Sequence, residues 1–145
     1  MAVVLPFTFH YRYNNYMDDK KKILIIEDDK FLLKLYSDKL IREGFNVSMA
    51  ITGEEGLSKV VQEKPDLVLL DIILPQKNGF EILSALKLNP GLQHIPVIVL
   101  TNLGQESDIK TGMDLGAADY LVKTDFSITK LPEVVRKYLA LAAKT

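Results

Sequence analysis

The feature that most constrains the fold of this chain is a strict alternation of short apolar runs with segments of helical periodicity. Three runs are apolar almost throughout, at 23–26, 67–70 and 95–100, as is typical of strands buried on both faces of a parallel sheet. Shorter strands are predicted at 45–50 and 118–122. Helices are predicted from Leu32 to before Gly44, from Thr52 to about Glu63, from Asn78 to Asn89, at about 106–114 and at about 129–142. Strands and helices that alternate in this way predict one doubly wound α/β domain with right-handed crossovers.

Composition excludes several classes of function. The 145 residues carry 18 Lys and Arg against 19 Asp and Glu, a formal net charge of −1. The chain therefore has no basic field for nucleic acid or an anionic membrane. It has no cysteine, which excludes disulfides, thiolate metal sites and cysteine nucleophiles. No apolar run approaches the roughly 20 residues of a membrane span, and we expect a cytoplasmic protein.

The first 16 residues differ from the rest of the chain. They contain five of the twelve Phe and Tyr residues but a single charged residue, Arg12. We expect this leader at 1–16 to be disordered or to precede a native start at Met17. An added strand is the alternative, because aromatic and polar residues alternate from Phe7 to Tyr13. Residues 17–145 form the predicted domain.

Polar residues follow four of the five predicted strands. Glu27, Asp28 and Asp29 follow the first strand, and Asp71 follows the third. Thr101 and Lys123 follow the fourth and fifth. The ligand site of a doubly wound sheet lies at the carboxyl ends of its strands, so these side chains are expected to converge. The second strand contributes no such residue, as expected of a strand at the sheet edge.

The converging groups indicate phosphoryl chemistry. Carboxylates gathered in one crevice repel one another and favour a hard divalent cation. A ligand set made only of oxygen points to Mg²⁺ or Mn²⁺. Thr101 and Lys123 offer a hydrogen bond and a positive charge to a phosphoryl group. Asp71 stands alone at a central strand end, where a carboxylate nucleophile can form an acyl phosphate. Asp29 is expected to cap the following helix.

Four motifs in order resemble the receiver domain of two-component response regulators. They are ILIIEDD at 23–29, LLDIILPQKNGFEIL at 69–83, VIVLTN at 97–102 and GAADYLVK at 116–123. The second contains Asp71, Pro75 and Gly79 in the spacing of the family signature. The likeness covers about residues 21–143. It implies a flavodoxin-like (βα)5 fold with a five-stranded parallel sheet in the order 2-1-3-4-5.

The resemblance also assigns roles to residues. It makes Asp71 the phospho-acceptor, assisted by Lys123 and Thr101, and makes Thr101 and Tyr120 the switch pair. The implied metal ligands are Glu27, Asp28, Asp71 and the backbone carbonyl of Ile73. The backbone N–H groups of Ile73 and Asn102 would bind the phosphoryl oxygens. The implied signalling surface is the face of the fourth helix, fifth strand and fifth helix, at about 105–143.

Two departures from the family pattern bear on the site. The family usually has proline after the lysine, often with a cis bond, whereas this chain has Thr124. A cis bond before a residue other than proline costs about 2.5–4 kcal/mol, so we expect a trans or a strained loop. The side chains two residues beyond Asp71 and Thr101 are apolar, Ile73 and Leu103. This predicts hindered water attack and a long-lived phosphoryl state.

The sequence thus predicts a stand-alone receiver without an output domain, a signalling switch that turns over no separate substrate. Its expected partners are a histidine kinase or phosphotransfer protein and a downstream protein, with no nucleic acid or membrane. It is expected to be a monomer or a phosphorylation-dependent dimer. The main alternative is a phosphorylation-independent interaction module. A haloacid-dehalogenase-type enzyme is disfavoured, because it needs a second aspartate where Ile73 stands. A flavodoxin-like cofactor binder lacks its phosphate loop.

Overall fold

The computed structural model describes residues 20–144. The strands are β1 Lys22–Ile26, β2 Asn46–Ala50, β3 Leu67–Leu70, β4 Val97–Thr101 and β5 Asp119–Val122. The helices are α1 Lys30–Arg42, α2 Gly53–Glu63, α3 Gly79–Leu88, α4 Glu106–Asp114 and α5 Leu131–Ala143, the last preceded by a 3₁₀ turn at Ile128–Lys130. The expectation for the leader at 1–16 lies outside the described residues.

The five strands form one parallel sheet in the order β2-β1-β3-β4-β5. This confirms the predicted flavodoxin-like (βα)5 fold and places the second strand at an edge. β1, β3 and β4 occupy the centre, which explains their apolar character: every residue of β3 and β4 is buried. Asp71, Glu27 and Thr101 therefore stand at the ends of neighbouring central strands.

Two hydrophobic layers cover the two faces of the sheet. Successive residues of β1 point alternately into the two layers: Leu24 and Ile26 belong to one layer, and Ile23 and Ile25 belong to the other. The first layer contains residues of α2 and α3, and the second contains residues of α1 and α5. Continuous apolar strands are stable only when helices cover both faces in this way.

The predicted boundaries differ from the observed ones mainly at β4. The apolar run begins at Ile95, but the strand begins at Val97. Pro96 has no N–H for the ladder and contributes its carbonyl, which accepts from the N–H of Val68 at 3.0 Å. The N–H of Ile95 donates instead to Leu92 at 3.0 Å within the preceding turn. Among the helices of residues 20–144, none is both long and apolar enough to cross a membrane.

Candidate phosphoryl-transfer site

The carboxyl ends of β1 and β3 bring three carboxylates together. Oxygen atoms of Glu27, Asp28 and Asp71 all lie within 4.8 Å of one another. The N–H of Asp71 donates to the carbonyl of Ile26 at 3.0 Å, so the parallel ladder of β1 and β3 continues to the site and fixes its register. Glu27 and Asp71 are buried, at 2% and 5% exposed, whereas Asp28 is exposed. The cluster thus has two inner carboxylates and one that faces solvent.

Lys123 links the two inner carboxylates. Its Nζ donates to Glu27 Oε1 at 2.5 Å and to Asp71 Oδ2 at 2.9 Å. Its own N–H donates to the carbonyl of Thr101 at 2.8 Å, which attaches the end of β5 to the end of β4. One ammonium from β5 therefore neutralises part of the charge that β1 and β3 bring together.

The pKa values of Glu27 and Lys123 are both raised, although for different reasons. Burial raises the pKa of Glu27 to about 7, helped by the nearby Asp71 charge and opposed by the hydrogen bond from Lys123. Burial by itself would lower the pKa of Lys123, but its bonds to Glu27 and Asp71 outweigh that effect and raise it. The lysine therefore remains a cation while Glu27 holds its proton more tightly than an ordinary glutamate.

Both carboxylate oxygens of Asp71 accept a hydrogen bond. Oδ1 accepts from the N–H of Ile73 at 3.1 Å, and Oδ2 accepts from Lys123. Such charge-assisted bonds hold the carboxylate in one orientation. The chain after it turns sharply, because the N–H of Gly79 donates to the carbonyl of Ile72 at 2.8 Å. A fixed carboxylate at the base of an open cleft is suited to attack an electrophile that approaches from solvent.

The cleft has a volume of about 220 Å³ and a largely polar lining. It is lined by Glu27, Asp28, Asp29, Leu32, Asp71, Ile73, Asn102 and Lys123. Six of these residues were predicted to bind the metal or the phosphoryl group, and they therefore meet in one place: Glu27, Asp28, Asp71, Ile73, Asn102 and Lys123. Asp29 also caps α1 as predicted, since its carboxylate accepts from the N–H groups of Phe31 and Leu32.

Thr101 and Tyr120 are not among the residues that line the cleft. Thr101 is fully buried, and its Oγ1 accepts from the N–H of Leu103 at 3.3 Å. The hydroxyl of Tyr120 donates to the carbonyl of Leu103 at 2.6 Å. Both predicted switch residues therefore form hydrogen bonds with backbone atoms of Leu103, a residue whose predicted role rested on its apolar side chain. No sequence signal identifies these contacts, because they use backbone atoms.

The loop after Lys123 contains no unusual peptide bond. Residues 20–144 have no cis peptide bond, so the Lys123–Thr124 bond is trans, one of the two expectations for this departure. Thr124 lies beside a second, apolar groove of about 330 Å³ between α1 and this loop. The groove is lined by Leu32, Leu35, Tyr36, Leu100, Asn102, Lys123, Thr124, Phe126 and Ile128. Leu32, Asn102 and Lys123 line both spaces, so the groove continues from the polar cleft.

Comparisons with known proteins agree on one family. A family model described as the response regulator receiver domain matches residues 23–136. The DNA-binding dual master transcriptional regulator RpaA of Synechocystis is 40% identical over 118 residues, covering 81% of this chain and 48% of RpaA. The chain thus spans about half the length of this curated relative.

Solved structures show the same fold. A CheY-like response regulator receiver domain protein from Methanospirillum hungatei has a TM-score of 0.79 and 32% identity, covering 87% of this chain and 98% of that chain. The Mn²⁺-bound form of the response regulator Rcp1 has a TM-score of 0.72 and 30% identity, covering 81% of this chain and 93% of that chain.

Proposed function

This chain belongs to the family of response regulator receiver domains, and from that premise we propose that it accepts a phosphoryl group on Asp71. The donor is the phosphohistidine of a histidine kinase or phosphotransfer protein, and the result is a change in partner binding or onward transfer of the phosphate. The observation that carries the proposal is the position of Asp71, fixed by Ile73 and Lys123 at the base of a cleft that opens to solvent.

The proposed reaction is a transfer of the phosphoryl group from a histidine nitrogen to a carboxylate oxygen. A carboxylate oxygen of Asp71 attacks the phosphorus, the P–N bond of the phosphoimidazole breaks, and the departing nitrogen keeps the electron pair. The product is an acyl phosphate, which water later hydrolyses back to the carboxylate and inorganic phosphate. Lys123 already lies 2.9 Å from Asp71 Oδ2, so its ammonium is close enough to neutralise an oxygen of the incoming group.

The residues of the cleft fit a divalent cation. Glu27, Asp28, Asp71 and the backbone carbonyl of Ile73 would hold Mg²⁺ or Mn²⁺, and the Mn²⁺-bound form of Rcp1 supports the assignment. The oxygen atoms of the three carboxylates lie within 4.8 Å of one another, and oxygen atoms are the ligands that Mg²⁺ prefers. Bound there, the ion would offset the charge that the phosphoryl group adds to the carboxylates.

The response to phosphorylation would pass through Thr101 and Tyr120. The phosphoryl group adds up to about two negative charges, which favours rotation of the Thr101 hydroxyl from Leu103 toward the new oxygens. The backbone N–H groups of Ile73 and Asn102 would bind the same oxygens. Leu103 would then lose one contact and retain the bond from Tyr120. The affected surface is formed by α4, β5 and α5, at about 105–143, where a downstream protein or a second copy would bind.

The partner that donates phosphate must reach the open side of the cleft. Phe31 and Leu35 are exposed on α1, at 75% and 42%, beside the apolar groove that continues from the cleft. An apolar surface next to a polar reaction centre favours a protein donor over a small molecule alone. Ile73, 54% exposed at the cleft, would shield the acyl phosphate from water, and this supports a long phosphoryl lifetime.

We also propose that the switch acts in the cytoplasm and does not itself bind nucleic acid. RpaA, which is named as DNA-binding and of which this chain spans about half the length, provides the alternative. Immunoblotting of native cell extract tests it: a native protein well above the 16.3 kDa of this chain would favour a regulator of the RpaA kind.

Labelling with a small acyl-phosphate donor and Mg²⁺ tests the acceptor. The mass of the wild-type chain should rise by one phosphoryl group that hydroxylamine removes, and Asp71→Asn should remain unlabelled. Asp125→Asn, at an exposed aspartate of the loop after β5, is the matched control and should label normally. Label in the Asp71→Asn variant refutes the assignment. A wild-type chain that takes up no label from acyl phosphate or from histidine kinases supports the phosphorylation-independent module instead.

A further inference from the structure

The ring of Tyr120 packs against α4 at the position of Gly112. Gly112 is buried, and a Cβ placed on it would lie 2.7 Å from Tyr120 Cδ2 and 2.8 Å from Tyr120 Cε2. Carbon atoms in favourable contact are roughly 3.5–4.0 Å apart. The aromatic ring therefore rests directly on the helix backbone, in a space that a methyl group would fill.

The position of Gly112 requires a small residue because of the space available, and not because of its backbone conformation. Among the glycines in the described part of the chain, only Gly44 and Gly116 have a positive φ. Gly112 has the backbone of an ordinary helical residue, where alanine would stabilise the helix. The next group near the added Cβ is Phe80 Cε1, at a comfortable 3.6 Å. The ring of Tyr120 is thus the group with which a larger residue would collide.

The same ring connects α4 to the loop after β4. Tyr120 is 8% exposed, and its hydroxyl donates to the carbonyl of Leu103 at 2.6 Å. The N–H of Leu103 in turn donates to Thr101 Oγ1. A displaced ring would release the Leu103 carbonyl and leave this loop with one bond fewer. β5 is the edge strand next to β4, so we expect a displaced ring to move toward that edge of the sheet.

We propose that Gly112 is a positioning residue: it leaves room for the ring of Tyr120 against α4 and so allows the Tyr120 hydroxyl to hold the loop that follows Thr101. The size of the residue at 112 decides whether the ring lies against α4 or outside the sheet edge. The link to signalling rests on the proposed function of Thr101. The position of the Tyr120 ring does not depend on that function, because it is measured on the unphosphorylated chain.

Fluorine NMR of the full chain labelled with 3-fluorotyrosine measures the ring directly. Comparison with Tyr120→Phe assigns the Tyr120 signal, and a soluble gadolinium chelate reports its exposure by line broadening. The wild-type signal should be protected, and in Gly112→Ala it should broaden like that of an exposed tyrosine. Gly91→Ala is the control, because a Cβ there meets nothing closer than Asn89 Oδ1 at 3.4 Å. A Tyr120 signal that stays protected in Gly112→Ala overturns the proposal.

A stability cycle separates the collision from a general effect on the helix. Gly112→Ala should lower the thermal midpoint of the wild type, and should raise it in a Tyr120→Ala background, where only the gain in helix propensity remains. The same change in both backgrounds overturns the proposal. If Gly112→Ala alone does not fold, the double variant must regain the fold, and failure to regain it also overturns the proposal.

The effect of Gly112→Ala on phosphorylation is measured separately from its effect on the position of the Tyr120 ring. Gly112→Ala should take up acyl phosphate at Asp71 like the wild type, because Gly112 does not line the cleft, while the partner affinity of the phosphorylated form should change. An unchanged partner affinity overturns the signalling part of the proposal. A wild-type chain that takes up no phosphate counts against the proposed function alone and leaves the fluorine result standing.

Discussion

At the scale of single residues, the electrostatics of the cleft depends on Lys123. Its ammonium donates to Glu27 and Asp71, and the three side chains are 10%, 3% and 6% exposed. Two buried carboxylates without that ammonium would repel each other and lose a hydrogen bond each. A buried charge pair is costly to break even where forming it adds little to stability. The lysine is therefore expected to stabilise the unphosphorylated site, besides its proposed part in the reaction.

Lys123→Ala should lower the free energy of unfolding by about 1–3 kcal/mol, measured by urea unfolding without divalent cations. The cost should fall to less than half in an Asp71→Asn background, where one of the two repelling charges is gone. Lys34→Ala is the control. Lys34 pairs with Asp38 at 2.7 Å on the exposed face of α1, and its loss should cost no more than about 0.5 kcal/mol. An equal cost of Lys123→Ala in both backgrounds would contradict the coupling.

Two tyrosines make stability sensitive to alkaline pH. Burial raises the pKa of Tyr120 to about 12, and burial together with the hydrogen bond to Asp119 raises that of Tyr138 to about 12. The folded chain therefore holds both phenol protons more tightly than the unfolded chain, whose tyrosines titrate near 10. Their contribution is complete below pH 10 and is lost as the pH rises through about 12.

The measurement is urea unfolding at a series of alkaline pH values. Wild-type stability should decline above pH 10, the ordinary tyrosine value. The Tyr120→Phe/Tyr138→Phe variant should decline less steeply, because neither phenylalanine ionises. Equal slopes for the two proteins would exclude the tyrosines as the source.

At the scale of elements, the segment after β3 explains the spacing of the Asp71 motif. The chain turns back so that α3 begins against the backbone of Asp71, the proposed acceptor. A Cβ on Gly79 would lie 2.4 Å from the carbonyl oxygen of Asp71 and 2.6 Å from Ile72 Cα. Both contacts are with backbone, which has no side-chain rotamer to change. A glycine eight residues after the acceptor is thus required by the close approach of a helix to a strand end.

Gly79→Ala should lower the free energy of unfolding by about 1–3 kcal/mol, the usual cost of overpacking. It should also slow acyl-phosphate labelling, because the carbonyl that must move belongs to Asp71. Urea unfolding and intact-mass labelling measure the two effects. Gly91→Ala should change stability by no more than about 0.5 kcal/mol and leave labelling unchanged. A Gly79→Ala variant with wild-type stability and labelling would show that the helix moves without cost.

At the scale of the whole molecule, the alternation of elements was sufficient to predict the sheet and the location of the site. The carboxyl ends of parallel strands share one edge of a sheet, so Glu27, Asp71 and Lys123 had to approach one another once the strands were correctly placed. The order of the strands needed the family resemblance, because periodicity says which segments are strands but not which are neighbours. The early start predicted for β4 failed because an apolar residue, Ile95, belongs to the preceding turn.

The contacts inside the site could not be predicted in the same way. That Lys123 bonds both Glu27 and Asp71 depends on side-chain rotamers and on the distance between three strand ends. That Thr101 and Tyr120 both contact Leu103 depends on backbone atoms, which every residue has. Gly112 lies within the helix predicted at about 106–114, where a glycine weakens a helix, and the reason for it is the ring of Tyr120 on a different element.

The proposed metal site predicts that divalent cations stabilise the whole domain. Glu27 and Asp28 follow β1 and Asp71 follows β3, so only the folded chain holds the three carboxylates together. Mg²⁺ at ten times its dissociation constant should therefore raise the free energy of unfolding by about 1.4 kcal/mol, measured as a higher thermal midpoint than in EDTA. Asp28→Asn should lose most of this increase. In EDTA, the same variant should be at least as stable as the wild type, because one repelling charge is gone.

The control for that experiment is Glu54→Gln, which removes an exposed carboxylate of α2 outside the cluster. It should keep the full response to Mg²⁺, since its charge does not take part in the site. Asp28→Asn and Glu54→Gln change net charge equally, so a difference between them isolates the cluster from general screening by a divalent salt. Equal responses in the two variants would mean that Mg²⁺ acts through ionic strength, and the assignment of Asp28 as a ligand would be wrong.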